Sequence, residues 1–420
     1  MHQIKTCKID GGNMEEEQST ESVWPQLPFQ ILIDIVKNLS NRDKFNAALT
    51  CKAWVPLLDI PALFTTGHFL FPLGDVKSAL TFARARGKWL RHVYADCSEL
   101  AYGNEDSSVI DAMYQLVASL LHSGNKKLER ISFKDLTLLN KWYGGKRRTL
   151  ADFLKIISTL IETQQNLKEL DLTNAGLDAD EGGHLLREVS RTCAKNLHRL
   201  AIDRFIKFDN LSNLTPFHSA LYSFESLKEL EISYDFLSNK FLNDLTKSSK
   251  SSLRLQVLKM RAIYTADAHR NTSPHVWRKL KASFPDLKVF FFLKPESLST
   301  ESYYDELPLA ILTPCMPLHG MHWNCGSIIS IGNIIQGLKY VAAKFKNSLH
   351  CMDLTSEVRL GKEDIGEIFK SLQVCSRLET FALRLPCDLK TDERDYKLAL
   401  SEVKTQHNAT YVVTFNGQKV

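Results

Sequence analysis

The apolar positions of the chain follow two patterns. Ile31, Leu32, Ile35, Val36 and Leu39 recur at helical spacing behind Pro28, a residue whose missing N–H costs nothing in a first turn. Ser40 followed by Asp43 predicts an N-cap for a second helix through Phe45, Ala48 and Leu49, and Trp54, Leu57 and Leu58 extend the apolar content to Pro61. Downstream a different phrase, Leu-x-x-Leu-x-Leu, recurs with substitutions. Its clearest copy is Leu167, Leu170 and Leu172; later copies begin at Leu197, Leu227, Leu255, Leu287, Leu318, Leu349 and Leu378, and looser ones at Leu90 and Leu128. From Leu167 onward the starts lie 30, 30, 28, 32, 31, 31 and 29 residues apart. A steady period of that size is the signature of stacked repeats.

Between the phrases lie helical stretches: Leu185, Leu186, Val189 and Cys193; Phe241, Leu242 and Leu245; Val276, Trp277, Leu280 and Phe284; Ile365, Ile368, Phe369 and Leu372. Each unit is thus one short strand and one helix, and no single unit can bury its own apolar face, so the leucines must stack on neighbouring units. The first two intervals, 38 and 39 residues, leave room for insertions such as the loop Asn140 to Arg148. Strand alternation turns the third, fifth and seventh positions of each phrase outward. That register predicts an acidic band at Glu169, Asp171, Glu229 and Glu231, followed by the basic pair Lys259 and Arg261 and the apolar triplet Val289, Phe291 and Leu293. Exposed apolar side chains beside like charges suit a protein-binding hot spot, so these last five are candidate target-binding residues. The alternative, that Val289 to Leu293 is a strand buried on both faces, stays open.

The helical segment from Trp24 to Phe64 is too short to sustain a large core of its own, and its surplus apolar surface suggests a partner face. The pattern Leu27-Pro28, Ile31-Leu32, Ile35, Leu39, Asp43, Cys51-Lys52, Trp54, Pro61 and Leu63-Phe64 resembles the F-box, with Gln30 where an acidic residue is common and Phe64 where Trp is common. The repeat region resembles the leucine-rich repeats linked to F-boxes. The resemblance implies an α/β chain: an N-terminal three-helix F-box, then a leucine-rich-repeat solenoid with a parallel concave sheet and helices on the convex side. The expected division is a disordered tail over 1–22, the F-box over 23–66, and about ten irregular repeats over 67–420. By the same resemblance Leu27, Pro28, Ile31, Leu32, Ile35, Leu39 and Trp54 bind a Skp-family adaptor and, through it, a cullin. The repeats then hold an unknown protein target for ubiquitination and proteasomal degradation. The alternative is an F-box and leucine-rich-repeat scaffold without a ligase role.

Composition adds limits. The 420 residues are 44% hydrophobic and 24% charged, as in soluble globular chains. Lys and Arg exceed Asp and Glu by 53 to 48, a net +5 too mild to argue for nucleic acid or membrane as partner. No run approaches the roughly 18 apolar residues of a membrane helix, and Met1 to Ser22, with Glu15-Glu16-Glu17 and no apolar core, reads as neither signal nor transit peptide. Nine scattered cysteines without a Cys-x-x-Cys pair read as reduced thiols, placing the chain in cytoplasm or nucleus.

Candidate chemistry is thin. Cys315, His319, His322 and Cys325 have ligand types suited to zinc, but side chains alternate along a strand and convergence of all four requires a break in the repeat, so no metal is expected. Lys141 to Arg148 mixes basic and aromatic residues around Gly144-Gly145 and reads as a solvated loop; Arg84, Arg86, Lys88, Arg91 and His92 form a second basic cluster. Asp178, Asp180 and Gly182 hint at a calcium loop, yet Val189 stands where its closing Glu would be. No phosphate-binding, zinc-protease or serine-hydrolase motif is present. The expected reading is a binding protein with no cofactor, not an enzyme.

Overall fold

A computed structural model describes residues 27–71, 76–98, 108–137, 150–207, 214–248, 253–264, 272–295, 311–326, 329–358, 360–385, 410–415 and 418–419. The expected tail over 1–22 and the loop Asn140 to Arg148 lie outside them. The chain divides into two compact units, Met1–Thr65 and Thr66–Val420.

In the first unit α1 (Phe29–Val36) begins after Pro28, and α2 (Asn41–Thr50) is capped by Ser40, whose hydroxyl accepts from the Asp43 N–H at 3.1 Å. The third element, Lys52–Asp59, is wound as a 3-10 helix with Pro56 inside it, and a single further turn, Pro61–Leu63, closes the unit. A proline supplies no N–H to an α-helical ladder, which favours the short, tighter winding here. Leu32, Val36, Ala48, Leu57, Leu63 and Phe64 are buried. Lys44 is buried with them: its ammonium donates to the Leu63 carbonyl at 2.7 Å and lies 5.8 Å from the Phe64 ring centre. Burial lowers the pKa of that lysine, and the carbonyl and the ring face compensate the buried charge.

The second unit is one sheet whose strands follow chain order: β1 (Thr66–Leu70), β2 (His92–Asp96), β3 (Arg130–Lys134), β4 (Glu169–Asp171), β5 (Arg199–Ile202), β6 (Glu229–Ser233), β7 (Val257–Tyr264), β8 (Lys288–Pro295), β9 (Leu318–Asn324), β10 (Cys351–Thr355), β11 (Thr380–Leu385), β12 (Thr410–Phe415) and β13 (Gln418–Lys419). β1 to β12 pair parallel with their neighbours, and only β13 turns back antiparallel. The recurring phrase predicts β2 to β11; β1 and β12 extend the sheet beyond it. Among the described residues nine helices return the chain between successive strands: α3 (Val76–Arg86), α4 (Ser108–His122), α5 (Leu150–Glu162), α6 (Ala179–Cys193), α7 (Thr215–Tyr222), α8 (Asn239–Ser248) and α9 (Pro274–Ser283) from β1 to β8, then α10 (Ile331–Phe345) and α11 (Lys362–Leu372) from β9 to β11. Local signals start several of them. Asp178 and Glu181 form a reciprocal capping box on α6, and Ser273 and Ser330 cap α9 and α10. Among the described residues no helix is long and apolar enough to cross a membrane.

The phrase leucines and the apolar helix faces make one continuous core from Phe69 to Leu385. Cys97 and Cys193 belong to it; burial pushes their thiols up to about 12, so they act as small apolar side chains. Three successive repeats leave their strands through a left-handed residue, Asp135, Asn174 and Arg204, at φ of 60°, 59° and 48°. Asn and Asp tolerate that conformation, whereas arginine holds it at a cost of about 1 kcal/mol.

A second lacing joins the turns that lead into the strands. The buried Asn125 amide donates to the carbonyls of Gly87 and Leu90, both at 2.7 Å. One repeat on, the fully buried Gln164 amide donates to the Asn125 carbonyl at 2.7 Å and accepts from the Leu128 N–H at 3.0 Å. Further along, Phe224, Phe284 and Cys375 fill the same place with apolar bulk. Replacing Gln164 with Ala strands an N–H and a carbonyl away from water, a cost of about 2–4 kcal/mol. The variant is expected to unfold several degrees below the wild type in a thermal circular-dichroism scan; an unchanged midpoint would show the lacing to be dispensable.

Candidate functional site

On the first unit, α1 divides its apolar residues between two sides. Leu32 and Val36, four apart, face inward, while Phe29, Ile31 and Ile35 stay 46%, 46% and 40% exposed. Leu39, Leu49 and Val55 are exposed as well. Six of the eight large apolar side chains exposed among the described residues thus belong to this small unit, a concentration that marks a partner surface. Of the predicted adaptor-binding residues, Pro28, Ile31, Ile35 and Leu39 lie on the surface and Leu27 and Trp54 are half-buried. Leu32 requires a correction: at 3% exposure it supports the face from inside rather than forming it. Phe29, Leu49 and Val55 were missed, although Phe29 lies next to the helical series already noted.

On the second unit the side of the sheet opposite the helices carries an alternating charge ladder. The strand register aligns Arg130 with Glu169, Glu169 with Arg199, and Arg199 with Glu229. Arg130 meets Glu169 at 3.0 Å, Arg199 meets Glu229 at 3.1 Å, and Lys259 meets Glu229 at 2.7 Å; Lys134 meets Asp171 at 3.2 Å. The expected acidic band is therefore interleaved with arginines and neutralised in place.

Beyond β7 the face changes. Val289, Phe291 and Leu293 are buried at 0%, 0% and 1%, which overturns their assignment as target-binding residues. The register pairs them with Leu258, Met260 and Ala262, while Phe290 and Phe292 pair with Lys259 and Arg261 on the open side. A bulge between Val289 and Phe290 then resets the alignment against β9. Phe290 lies across Gly320: a Cβ at that glycine would meet the Phe290 ring at 2.6 Å and Cys351 Sγ at 2.5 Å, so the close approach requires glycine.

Around Phe292 the open face hollows into a cleft of about 400 Å³, lined among others by Arg204, Asp235, Arg261, Phe292, Lys294 and His322. The Arg261 guanidinium sits 5.1 Å from the Phe292 ring centre and binds the buried Glu231 at 2.8 Å. It also approaches the buried Asp203 at 3.5 Å, with Arg204 at 3.6 Å. Burial raises the Asp203 carboxyl above its ordinary range, opposed by the Ser233 hydroxyl and by Arg204 and Arg261. Across β9, His322 approaches Asp353 at 3.2 Å and Arg384 grips the same carboxylate through two nitrogens. Burial alone would raise Asp353, but His322 and Arg384 together outweigh it and hold the carboxyl below its usual range. Of the predicted target-binding residues, Lys259 and Arg261 are thus on the open face.

The four zinc-type residues do not converge. Cys325 is buried and Cys315 exposed, while the rings of His319 and His350 stack at 4.1 Å. Among the described residues no group of three or more His, Cys, Asp or Glu side chains is arranged to hold a metal.

A family model of the F-box domain matches residues 24–64, the segment whose apolar surface is left open. The chain therefore carries an F-box, and behind it an alternating strand–helix region with a parallel sheet, in the manner of a leucine-rich-repeat solenoid. An F-box fits the chain for an adaptor role of the Skp–cullin–F-box kind. Among solved structures it is similar to the tropomodulin C-terminal domain of Caenorhabditis elegans, at 17% identity over 42% of this chain and 91% of that one. The TM-score is 0.30, too low for that likeness to bear on function.

Arg261→Met is expected to lower stability at neutral pH by about 2 kcal/mol, short of the ~3–5 kcal/mol of a wholly buried pair because the guanidinium reaches solvent. The variant leaves two buried carboxylates under-compensated. Since the Asp203 carboxyl is already raised in the folded state, acidification neutralises it and the deficit shrinks as pH falls through its titration. Thermal scans of both proteins at neutral and mildly acidic pH check this; a deficit that grows on acidification contradicts it.

Proposed function

We propose that this chain is the substrate-recognition subunit of a Skp–cullin–F-box ubiquitin ligase. The exposed apolar side chains of the F-box unit carry the reading: Pro28, Ile31, Ile35 and Leu39 face water, with Phe29 exposed beside them and Leu27 half-buried, a concentration of apolar side chains that suits a partner. Burying them against a Skp-family adaptor removes that surface from water and tethers the solenoid to a cullin. The repeat sheet holds a target protein on its open face, with the cleft at Phe292, Arg261 and Lys294 as the anchoring place. Nothing in this role breaks a bond. The receptor raises the local concentration of target lysines near a ubiquitin-charged enzyme, and proteasomal degradation follows. The setting of such a ligase is the cytoplasm or nucleus.

Two variants separate the faces. Leu27→Ala with Pro28→Ala is expected to lose adaptor and cullin in affinity purification under proteasome inhibition while keeping target proteins. Phe292→Ala with Lys294→Glu is expected to do the reverse. Adaptor capture unchanged by the first variant would sink the docking face, and adaptor captured without any cullin would favour the scaffold reading.

A further inference from the structure

The edge of the sheet where the chain leads into each strand has a character that the ligase reading does not use. In each repeat the lead-in comprises the first phrase leucine, the two residues before it and the one after. In the six lead-ins from Leu90 to Leu255, eight residues are Lys or Arg and two are Asp or Glu. That surplus of six exceeds the +5 of the whole chain. The eight are Lys88, Arg91, Lys126, Lys127, Lys168, Lys195, Lys228 and Arg254, and all are exposed.

The sheet fixes them in a row. The backbone N–H groups of Glu129, Lys168, His198, Lys228 and Gln256 donate in turn to the carbonyls of Arg91, Glu129, Lys168, His198 and Lys228, at 2.7–2.9 Å. Successive lead-ins therefore follow one another at the strand spacing of about 4.8 Å. Within the row, Arg91, Lys127, Lys168 and His198 line one depression of about 380 Å³ with Asn166 and Asn196. The acid in that depression, Glu129, is already bound by Lys168 at 2.6 Å and Arg91 at 3.0 Å. Lys127, Lys195 and Lys228 have no salt bridge among the described residues.

We infer that this edge binds an acidic polypeptide segment, rich in Asp and Glu, laid across the lead-ins. Charge complementarity selects an anion, and the composition of the row selects its kind. The row has one aromatic residue, the half-buried Trp89 with Arg86 and Lys88 beside its ring, and no Phe, Tyr or Trp from Lys126 to Gln256, so it offers no succession of aromatic platforms for stacking bases. Lysines dominate over arginines, supplying mobile point charges instead of the planar forks that grip phosphate in pairs. Such a row suits many loosely held carboxylates, in contacts that weaken with salt. The inference does not depend on the F-box, and it concerns a surface separate from the Phe292 cleft.

Fluorescence anisotropy of the full chain with a labelled polyglutamate peptide tests it, with a single-stranded oligonucleotide and anionic lipid vesicles as competing probes. The combined variant Lys127→Glu, Lys195→Glu and Lys228→Glu is expected to weaken peptide binding at low ionic strength by about tenfold or more. The control Lys155→Glu, Arg278→Glu and Lys281→Glu, which makes the same charge change on exposed positions of α5 and α9, is expected to leave binding within about twofold of wild type. If the combined variant melts early, the single Lys195→Glu variant provides the same comparison with a smaller loss. Equal losses in the two triple variants, no peptide binding at low ionic strength, or tighter binding of the oligonucleotide or the vesicles would each overturn the inference.

Discussion

Everything in the larger unit depends on one constraint: a parallel strand with one helix cannot bury its own apolar face and must borrow the face of the next unit. The core from Phe69 to Leu385 exists only because successive strands stay in register. The same register decides where every other side chain goes. It brings Arg199 between two glutamates, sets Phe292 beside Arg261, and lines up the lysines at the lead-in edge. Packing comes first, and the binding surfaces are what its periodicity leaves facing water.

The F-box unit solves the opposite problem. It is too small to hide all the apolar residues it carries, so it buries a set around Leu32, Val36 and Phe64 and leaves others exposed, Phe29, Ile31, Ile35 and Leu39 among them. Lys44 shows how tight that compromise is: a buried ammonium serves as a hydrogen-bond post for the closing turn. Surplus apolar surface would be a liability in an isolated protein and becomes useful only when a partner covers it.

The period of the repeats was legible in the leucines because an inward phrase alternates with polar neighbours. It failed where alternation failed. Val289-Phe290-Phe291-Phe292-Leu293 is apolar throughout, so the run contains no phase, and a shift of one residue exchanges its two faces. Only pairing with β7 and the bulge toward β9 settle it. Leu32 was misplaced for a related reason: helical spacing identifies an apolar stripe but not how much of that stripe the module itself consumes. The Asn125 and Gln164 lacing could not be read in advance either, since a polar residue before a strand looks like any loop residue until its partners are known. Net charge was the least informative quantity, because +5 is a sum over a neutralised ladder and a strongly basic edge.

The ladder has a consequence for how this array could change in length. Arg130, Glu169, Arg199 and Glu229 alternate in sign from one strand to the next, so opposite charges meet only while the count of repeats between them keeps its parity. Excising the unit that carries Arg199 would bring Glu169 against Glu229, whereas excising two adjacent units would restore opposite neighbours. In this half of the solenoid, gain or loss of repeats should therefore be tolerated in even steps and penalised in odd ones, a counting rule written in charge rather than in the leucines.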